Sequence, residues 1–294
     1  MNQGKKITAI LLATVIFCSV LTIGGIWGIY IAEQAVSSTT DSSASSSQSE
    51  SQSSTTKAPP THENPKKMIA LTFDDGPSGV YTHQILDLLE QYQAKATFFV
   101  CGYQLYESNK DELQRAISLG CAIGNHSENH KSFPTLAENE EELINEIRAT
   151  NEKIARLSGT DYQCTIYRPP YGNINREVVE IFLKNGIRMH SVHWNSDSRD
   201  WEYRKNYDDG KLTREEAIEG AFNTVVSEVS EGSVVLMHDI QSITPDLVKR
   251  ILKKYTAEGY TFVTVQELFG FQEMQDEESY YNRYYSANRI SPMS

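Results

Sequence analysis

Between residues 68 and 269, short apolar runs alternate with longer amphipathic ones. The runs at 68–73, 96–100, 121–124, 166–167, 187–194, 233–237 and 261–265 read as strands, being brief and bounded by polar or turn residues. The stretches at 81–92, 138–157, 176–184, 213–230 and 245–255 carry apolar residues at helical spacing. Gly120, Gly159, Gly186 and Gly259 stand where helices end, a position that favours left-handed backbone. Strand and helix in alternation predict a parallel α/β fold, and about seven units suggest a distorted (β/α) barrel. The pattern alone leaves a doubly wound open sheet as the alternative. No repeat of fixed period is present.

The flanks of this region have a different pattern. Lys5 and Lys6 precede residues 7–31, which carry no charge and, at about 25 residues, are long enough to cross a bilayer as one helix. The run exceeds the ~7–15 residues of a cleaved signal, and no A-x-A-like site follows it, so a retained anchor is expected. The two lysines put residues 1–6 in the cytoplasm and everything after residue 31 outside. Residues 32–67 follow as a linker, almost wholly Ser and Thr over 37–56 and too polar to bury. Pro59, Pro60 and Pro65 stiffen its approach to the first strand. This leaves a catalytic domain over 68–270 and a tail over 271–294 that holds Tyr280, Tyr281, Tyr284 and Tyr285 among charges.

Charge and cysteine content narrow the possible partners. The 294 residues carry a net charge of −12, and all acidic residues lie beyond the expected span. A nucleic-acid partner is therefore excluded, and recognition of any polymer must come from a shaped site. Beyond Cys18, inside the span, there remain Cys101, Cys121 and Cys164. An odd number cannot form a disulfide scaffold, and three core thiols are expected.

Five clusters of chemically able residues fall at strand ends. Asp74 and Asp75 follow the first strand and precede a Gly-Pro turn, where adjacent side chains diverge and take different tasks. His126 and His130 follow the third strand at i, i+4 spacing, which brings both imidazoles to one side if the segment is helical. Two histidines and one carboxylate make a three-ligand metal set with a position left open. Arg168-Pro169-Pro170-Tyr171-Gly172 is a stiff loop able to fix an arginine and aim a backbone N–H. Asp197-Ser198-Arg199-Asp200-Trp201 follows the fifth run, and Leu236-Met237-His238 closes the sixth. Each alone also reads as a turn, a rigid loop or a core histidine, but in a parallel barrel all five open onto one rim.

In this order the five clusters resemble the motifs of the polysaccharide deacetylases, carbohydrate esterase family four, also called the NodB-homology domain. The resemblance covers about residues 68–269 and every motif is present. Anchor, linker and domain together look most like Gram-positive peptidoglycan N-acetylglucosamine deacetylases. It implies an extracellular, single-pass membrane hydrolase that removes acetate from N-acetylglucosamine in peptidoglycan. Chitin-like oligomers, acetylxylan and muramic acid are the alternative substrates, and a catalytically idle wall-binding protein is the alternative class.

The resemblance also implies roles. Asp75, His126 and His130 would hold Zn²⁺ or another divalent transition metal such as Co²⁺. Asp74 would be the general base, kept charged and oriented by Arg168. The N–H of Tyr171 would stabilise the oxyanion. His238 would protonate the departing amine with help from Asp200, and Trp201 and Leu236 would line the slot for the acetyl methyl. Residues 201–212 look long for the family's loop at this place. His190 and His193 match no motif and read as packing or surface residues, and His62 and His83 have no assigned role.

Overall fold

The computed structural model describes residues 67–271. The expected anchor over 7–31, the linker up to residue 66 and the tail from 272 onward lie outside the described residues. Among those described, no helix is long and apolar enough to cross a membrane.

Eight short strands alternate with eight α-helices. β1 (Met68–Asp74), α1 (Tyr81–Tyr92), β2 (Ala96–Val100), α2 (Lys110–Ser118), β3 (Ala122–Asn125) and α3 (Glu140–Leu157) come first. β4 (Ile166–Tyr167), α4 (Arg176–Lys184), β5 (His190–Ser191), β6 (Ser196–Asp197) and α5 (Asp200–Asp208) form the middle. α6 (Arg214–Glu228), β7 (Val234–His238), α7 (Thr244–Ala257), β8 (Thr261–Phe262) and α8 (Val265–Phe269) complete the domain. Every strand pairing is parallel, in the order β5-β4-β3-β2-β1-β7-β6, and β8 adds to the start of β1. This is a barrel order interrupted between β5 and β6, which share no pairing among the described residues.

The sequence pattern suggested one strand over 187–194, and the structure corrects it. The carbonyls that such a strand would offer a neighbour are taken by a buried side chain. Arg168 donates from Nε to Val192 O (3.0 Å) and from Nη2 to His193 O (3.1 Å). The chain then re-enters the sheet at Asn195, which exchanges bonds with Val234 through its own N–H and side-chain oxygen. A second correction concerns 201–212. Most of that stretch is helix α5 rather than an extended loop, and α5 packs against α6.

Side chains of β1 alternate between two cores, as strand geometry requires. Ile69, Leu71 and Phe73 join α1, α2 and α7 in the outer core through residues such as Ile85, Leu113 and Leu247. Ala70 faces the barrel interior with Phe99, Ile166, Val192 and Val234, where α8 contributes Val265. The starts of α3, α4, α6 and α8 are capped by their own sequence. Asn139 accepts from Glu142 N–H at the head of α3, and Thr213 and Glu216 cap α6 reciprocally. Among the described residues, Cys101, Cys121 and Cys164 are free thiols, the first two buried.

Candidate active site

Parallel pairing carries the C-terminal ends of β1, β3, β4, β6 and β7 to one rim. Asp74 is in register with His238, Asp197 with Leu236, and Asn125 with Tyr167. A pocket of ≈ 400 Å³ opens there. Of the ten residues expected at the site, Asp74, Asp75, His126, His130, Tyr171, Trp201, Leu236 and His238 line it. Arg168 and Asp200 stand behind it, both fully buried.

Asp75, His126 and His130 bring one ligand atom each to within 4.8 Å of one another. Asp75 Oδ1 lies 3.4 Å from His126 Nε2 and 3.2 Å from His130 Nε2. That oxygen is buried and has no hydrogen-bond donor, a costly condition that a bound cation would relieve. His126 Nδ1 donates to the carbonyl of Arg168 at 2.8 Å, which turns Nε2 toward Asp75. Burial alone would raise the Asp75 pKa, but the neighbouring His126 imidazole first, then His238 and His130, bring it down to about 2. Burial pushes His126 down, yet Asp74 and Asp75 prevail and raise it. The same negative field suits a divalent ion, and the donor set of one carboxylate and two imidazoles fits Zn²⁺ or Co²⁺.

The histidine pair does not sit on a helix, contrary to the simplest reading of its spacing. Residues 126–130 form a loop with left-handed backbone at Ser127 (φ 71°) and His130 (φ 54°). Asn125 Oδ1 accepts from Ser127 N–H, Ser127 Oγ accepts from His130 N–H, and the buried Glu146 of α3 takes two bonds from Asn129. Among the described residues, the non-glycine positions with positive φ are Asp75, Gln93, Ser127, His130, Tyr171 and Arg199. Asp75, His130 and Tyr171 line the pocket, and Ser127 lies in the loop that presents the two histidines, so much of the conformational strain falls where groups are aimed.

Two ion pairs flank the triad. Arg168 Nη1 donates to Asp74 Oδ1 (2.7 Å) and to Thr72 Oγ1 (2.8 Å), and its guanidinium carbon stands 4.2 Å from the Phe99 ring centroid. Asp74 is thus held by one oxygen, and its other, Oδ2, is 3.6 Å from His126 Nε2. His238 Nδ1 donates to Asp200 Oδ1 (2.7 Å), and His238 N–H donates to Asp200 Oδ2 (2.8 Å). Thr244 and the Trp201 N–H complete the Asp200 shell. Burial works against a charged His238, but Asp200 overcomes it, and with Asp75 and Asp74 pushes the pKa up to about 10. One pocket therefore holds an oriented carboxylate, a proton-bearing imidazole and a candidate cation site.

Sequence reasoning missed four lining residues: Gly172, Trp194, Asp197 and Gln241. Gly172 and Asp197 lie within the quoted motifs, which was signal enough to include them. Trp194 and Gln241 carried no local signal. His193 is partly buried, and burial followed by the charge of Arg168 lowers its pKa to about 4, consistent with a packing role. His190 is buried and stacks on Phe271.

Comparison with known proteins agrees with this geometry. A family model described as polysaccharide deacetylase matches residues 61–190. The solved structure of peptidoglycan deacetylase PdaC from Bacillus subtilis superposes with a TM-score of 0.60 at 32% identity, covering 77% of this chain and 98% of that one. The chain belongs to the polysaccharide deacetylase family. Peptidoglycan-N-acetylglucosamine deacetylase PgdA of Listeria monocytogenes is 34% identical over 217 residues, 74% of this chain and 42% of that protein. Full-length PdaC, named a peptidoglycan-N-acetylmuramic acid deacetylase, is 36% identical over 203 residues, 69% of this chain and 39% of that protein. The chain thus spans less than half the length of these two relatives. A family 4 acetyl xylan esterase from Clostridium thermocellum, solved with a cobalt ion, matches at 30% identity and a TM-score of 0.58 over 69% of this chain and 91% of that one.

Proposed function

We propose that this chain hydrolyses the acetamide of N-acetylglucosamine in cell-wall peptidoglycan, releasing acetate. The observation that carries the reading is that Asp74 and His238, each with its own buried counter-ion, line the same pocket as the Asp75–His126–His130 triad. Zn²⁺, or another divalent ion such as Co²⁺, held by that triad would supply Lewis acidity to the acetyl carbonyl and to water. Asp74, fixed by Arg168, takes the proton as water adds to the carbonyl carbon. The Tyr171 N–H donates to the oxyanion that forms. His238 gives its proton to the nitrogen as the C–N bond breaks, so that an amine leaves rather than an amide anion. Trp201 and Leu236 enclose the acetyl methyl.

Acetate release from purified peptidoglycan by the full chain, abolished by EDTA and restored by Zn²⁺, is the expected result. No release with metal restored would overturn the proposal. The similarity to PdaC supports muramic acid as a second substrate. Mass spectrometry of muramidase-digested, treated peptidoglycan separates the two by locating the lost 42 Da acetyl difference, roughly, on one sugar or the other. A wall-binding protein without activity would need neither the Arg168-held base nor the Asp200-held acid, which favours catalysis.

We place the catalytic domain outside the cell, tethered by residues 32–67 to a single-pass anchor over 7–31. Support comes from the charge-free run behind Lys5 and Lys6. Membrane fractionation with protease added to wall-stripped cells tests it; a chain recovered in the soluble fraction, or shielded from protease, would refute it.

A further inference from the structure

No residue of α3 lines the pocket, yet one face of that helix holds the loop that presents both histidines. Glu142, Glu146, Thr150 and Lys153 recur at i, i+4 and i, i+3 spacing and so share that face. Lys131 Nζ donates to Glu142 at 2.7 Å, Asn129 donates twice to Glu146, and Glu128 takes the Thr150 hydroxyl (3.2 Å) and the Lys153 ammonium. The loop therefore runs antiparallel to α3, residue against turn. At the loop's start, Asn125 Nδ2 donates to Ile147 O (2.9 Å) and to Asn151 Oδ1 (2.8 Å) of the same helix.

Glu146 stands at the centre of this face and is 1% exposed. Its Oε2 accepts from Asn129 N–H at 2.7 Å and its Oε1 from Asn129 Nδ2 at 2.9 Å. Both partner atoms are donors, so both oxygens must accept, which a glutamate can do and a glutamine cannot. A carboxylate buried without such bonds is costly. The two bonds therefore hold Asn129 firmly, next to one histidine in the chain and three residues from the other.

The loop needs that hold. Ser127 (φ 71°) and His130 (φ 54°) both adopt left-handed backbone, a conformation strained for residues with a side chain unless the surroundings impose it. Ser127 Oγ accepts from His130 N–H at 2.9 Å, but that bond lies within the loop itself. Released from α3, the loop would relax toward ordinary backbone and carry His130 Nε2 away from Asp75 Oδ1, now 3.2 Å distant.

On the reading of Asp75, His126 and His130 as ligands given above, we propose that Glu146 is a positioning residue of the metal site. Through Asn129 it keeps His130 beside His126 and so sets the affinity for the metal. Calorimetric titration of the metal-stripped full chain with Zn²⁺, beside a thermal melt of each metal-free protein, tests this. Glu146→Gln sets an amide donor against a donor of Asn129 and is expected to raise Kd for Zn²⁺ by about tenfold. Asn129→Asp sets a carboxylate against Glu146 and is expected to weaken binding likewise. Together the two substitutions give every donor an acceptor again, because the new amide donates to the new carboxylate and accepts from the N–H of residue 129. The double variant is therefore expected to regain most of the lost affinity.

An unchanged Kd in Glu146→Gln, or losses that simply add in the double variant, overturns the positioning role and leaves the deacetylase reading standing. If Glu146→Gln does not fold, the comparison passes to Asn129→Asp and the double variant. Tighter Zn²⁺ binding by the double variant then supports the role, and equal or weaker binding overturns it. A wild-type chain that binds no Zn²⁺ removes the metal site, and the role of Glu146 with it.

Discussion

Asp74 and His238 are register partners on adjacent strands, yet each is served by a different buried counter-ion, Arg168 for the first and Asp200 for the second. The sheet fixes their separation, and the ion pairs fix their orientation. Carboxylate and imidazole are thereby each paired with another group rather than with one another across the β1–β7 seam.

Removing either partner should therefore affect chemistry more than binding. Asp74→Asn and His238→Ala are each expected to lower kcat by about 10²–10⁴-fold with little change in KM. Steady-state acetate release, beside a thermal melt showing an intact fold, checks this.

The Asp200–His238 pair predicts the alkaline limb of the pH profile. A pKa raised to about 10 from an ordinary 6.5 keeps His238 protonated through neutral pH. Asp200→Asn removes the chief raising charge, so the limb should move to lower pH. The sign for stability is the same: the pair's contribution is full below the unfolded value of 6.5 and is lost as pH rises through about 10. Rate profiles and melts of both proteins between neutral and alkaline pH measure the two effects.

Arg168 should matter to the fold as well as to Asp74. It is fully buried and bonds Thr72, Asp74, Val192 and His193. Arg168→Met leaves Asp74 buried without its partner and should cost about 3–5 kcal/mol. Adding Asp74→Asn to that variant should recover part of the loss, because it removes the uncompensated charge. Urea unfolding of the single and double variants measures the recovery, and none at all would count against the ion pair as the cause.

Metal binding should be visible without activity. The unpartnered Asp75 Oδ1 implies that Zn²⁺ stabilises the folded chain, by about 2.7 kcal/mol at a hundredfold excess over Kd. His126→Ala removes one ligand and should abolish the rise in Tm seen on adding Zn²⁺. Differential scanning calorimetry with and without EDTA tests both.

The five motifs were legible because each is a local cluster of reactive side chains at the end of an apolar run, and parallel strands bring such ends together. Helices α3, α6 and α7 were legible for a similar reason, since apolar spacing is written within each segment and α3 and α6 also carry their own caps. Helix α5 was not: its residues are mostly polar, and its definition comes from packing on α6 and from Asp200 being held by His238 and Thr244.

The sequence by itself determined the carboxylate and two imidazoles of the candidate metal site, the Asp74 and His238 side chains that share its pocket, and the alternation that builds a parallel fold. These depend on side-chain chemistry and on periods of a few residues. Tertiary structure alone decided that the strand in the fifth apolar run stops at Ser191 and that β6 forms only after it, because Arg168, from β4's end, claims the carbonyls of Val192 and His193. It also decided that His126 and His130 converge through left-handed backbone rather than a helix turn, held by Asn125 and by Glu146 of α3. Both outcomes depend on hydrogen bonds to side chains brought in by other elements of the fold, which no local pattern encodes.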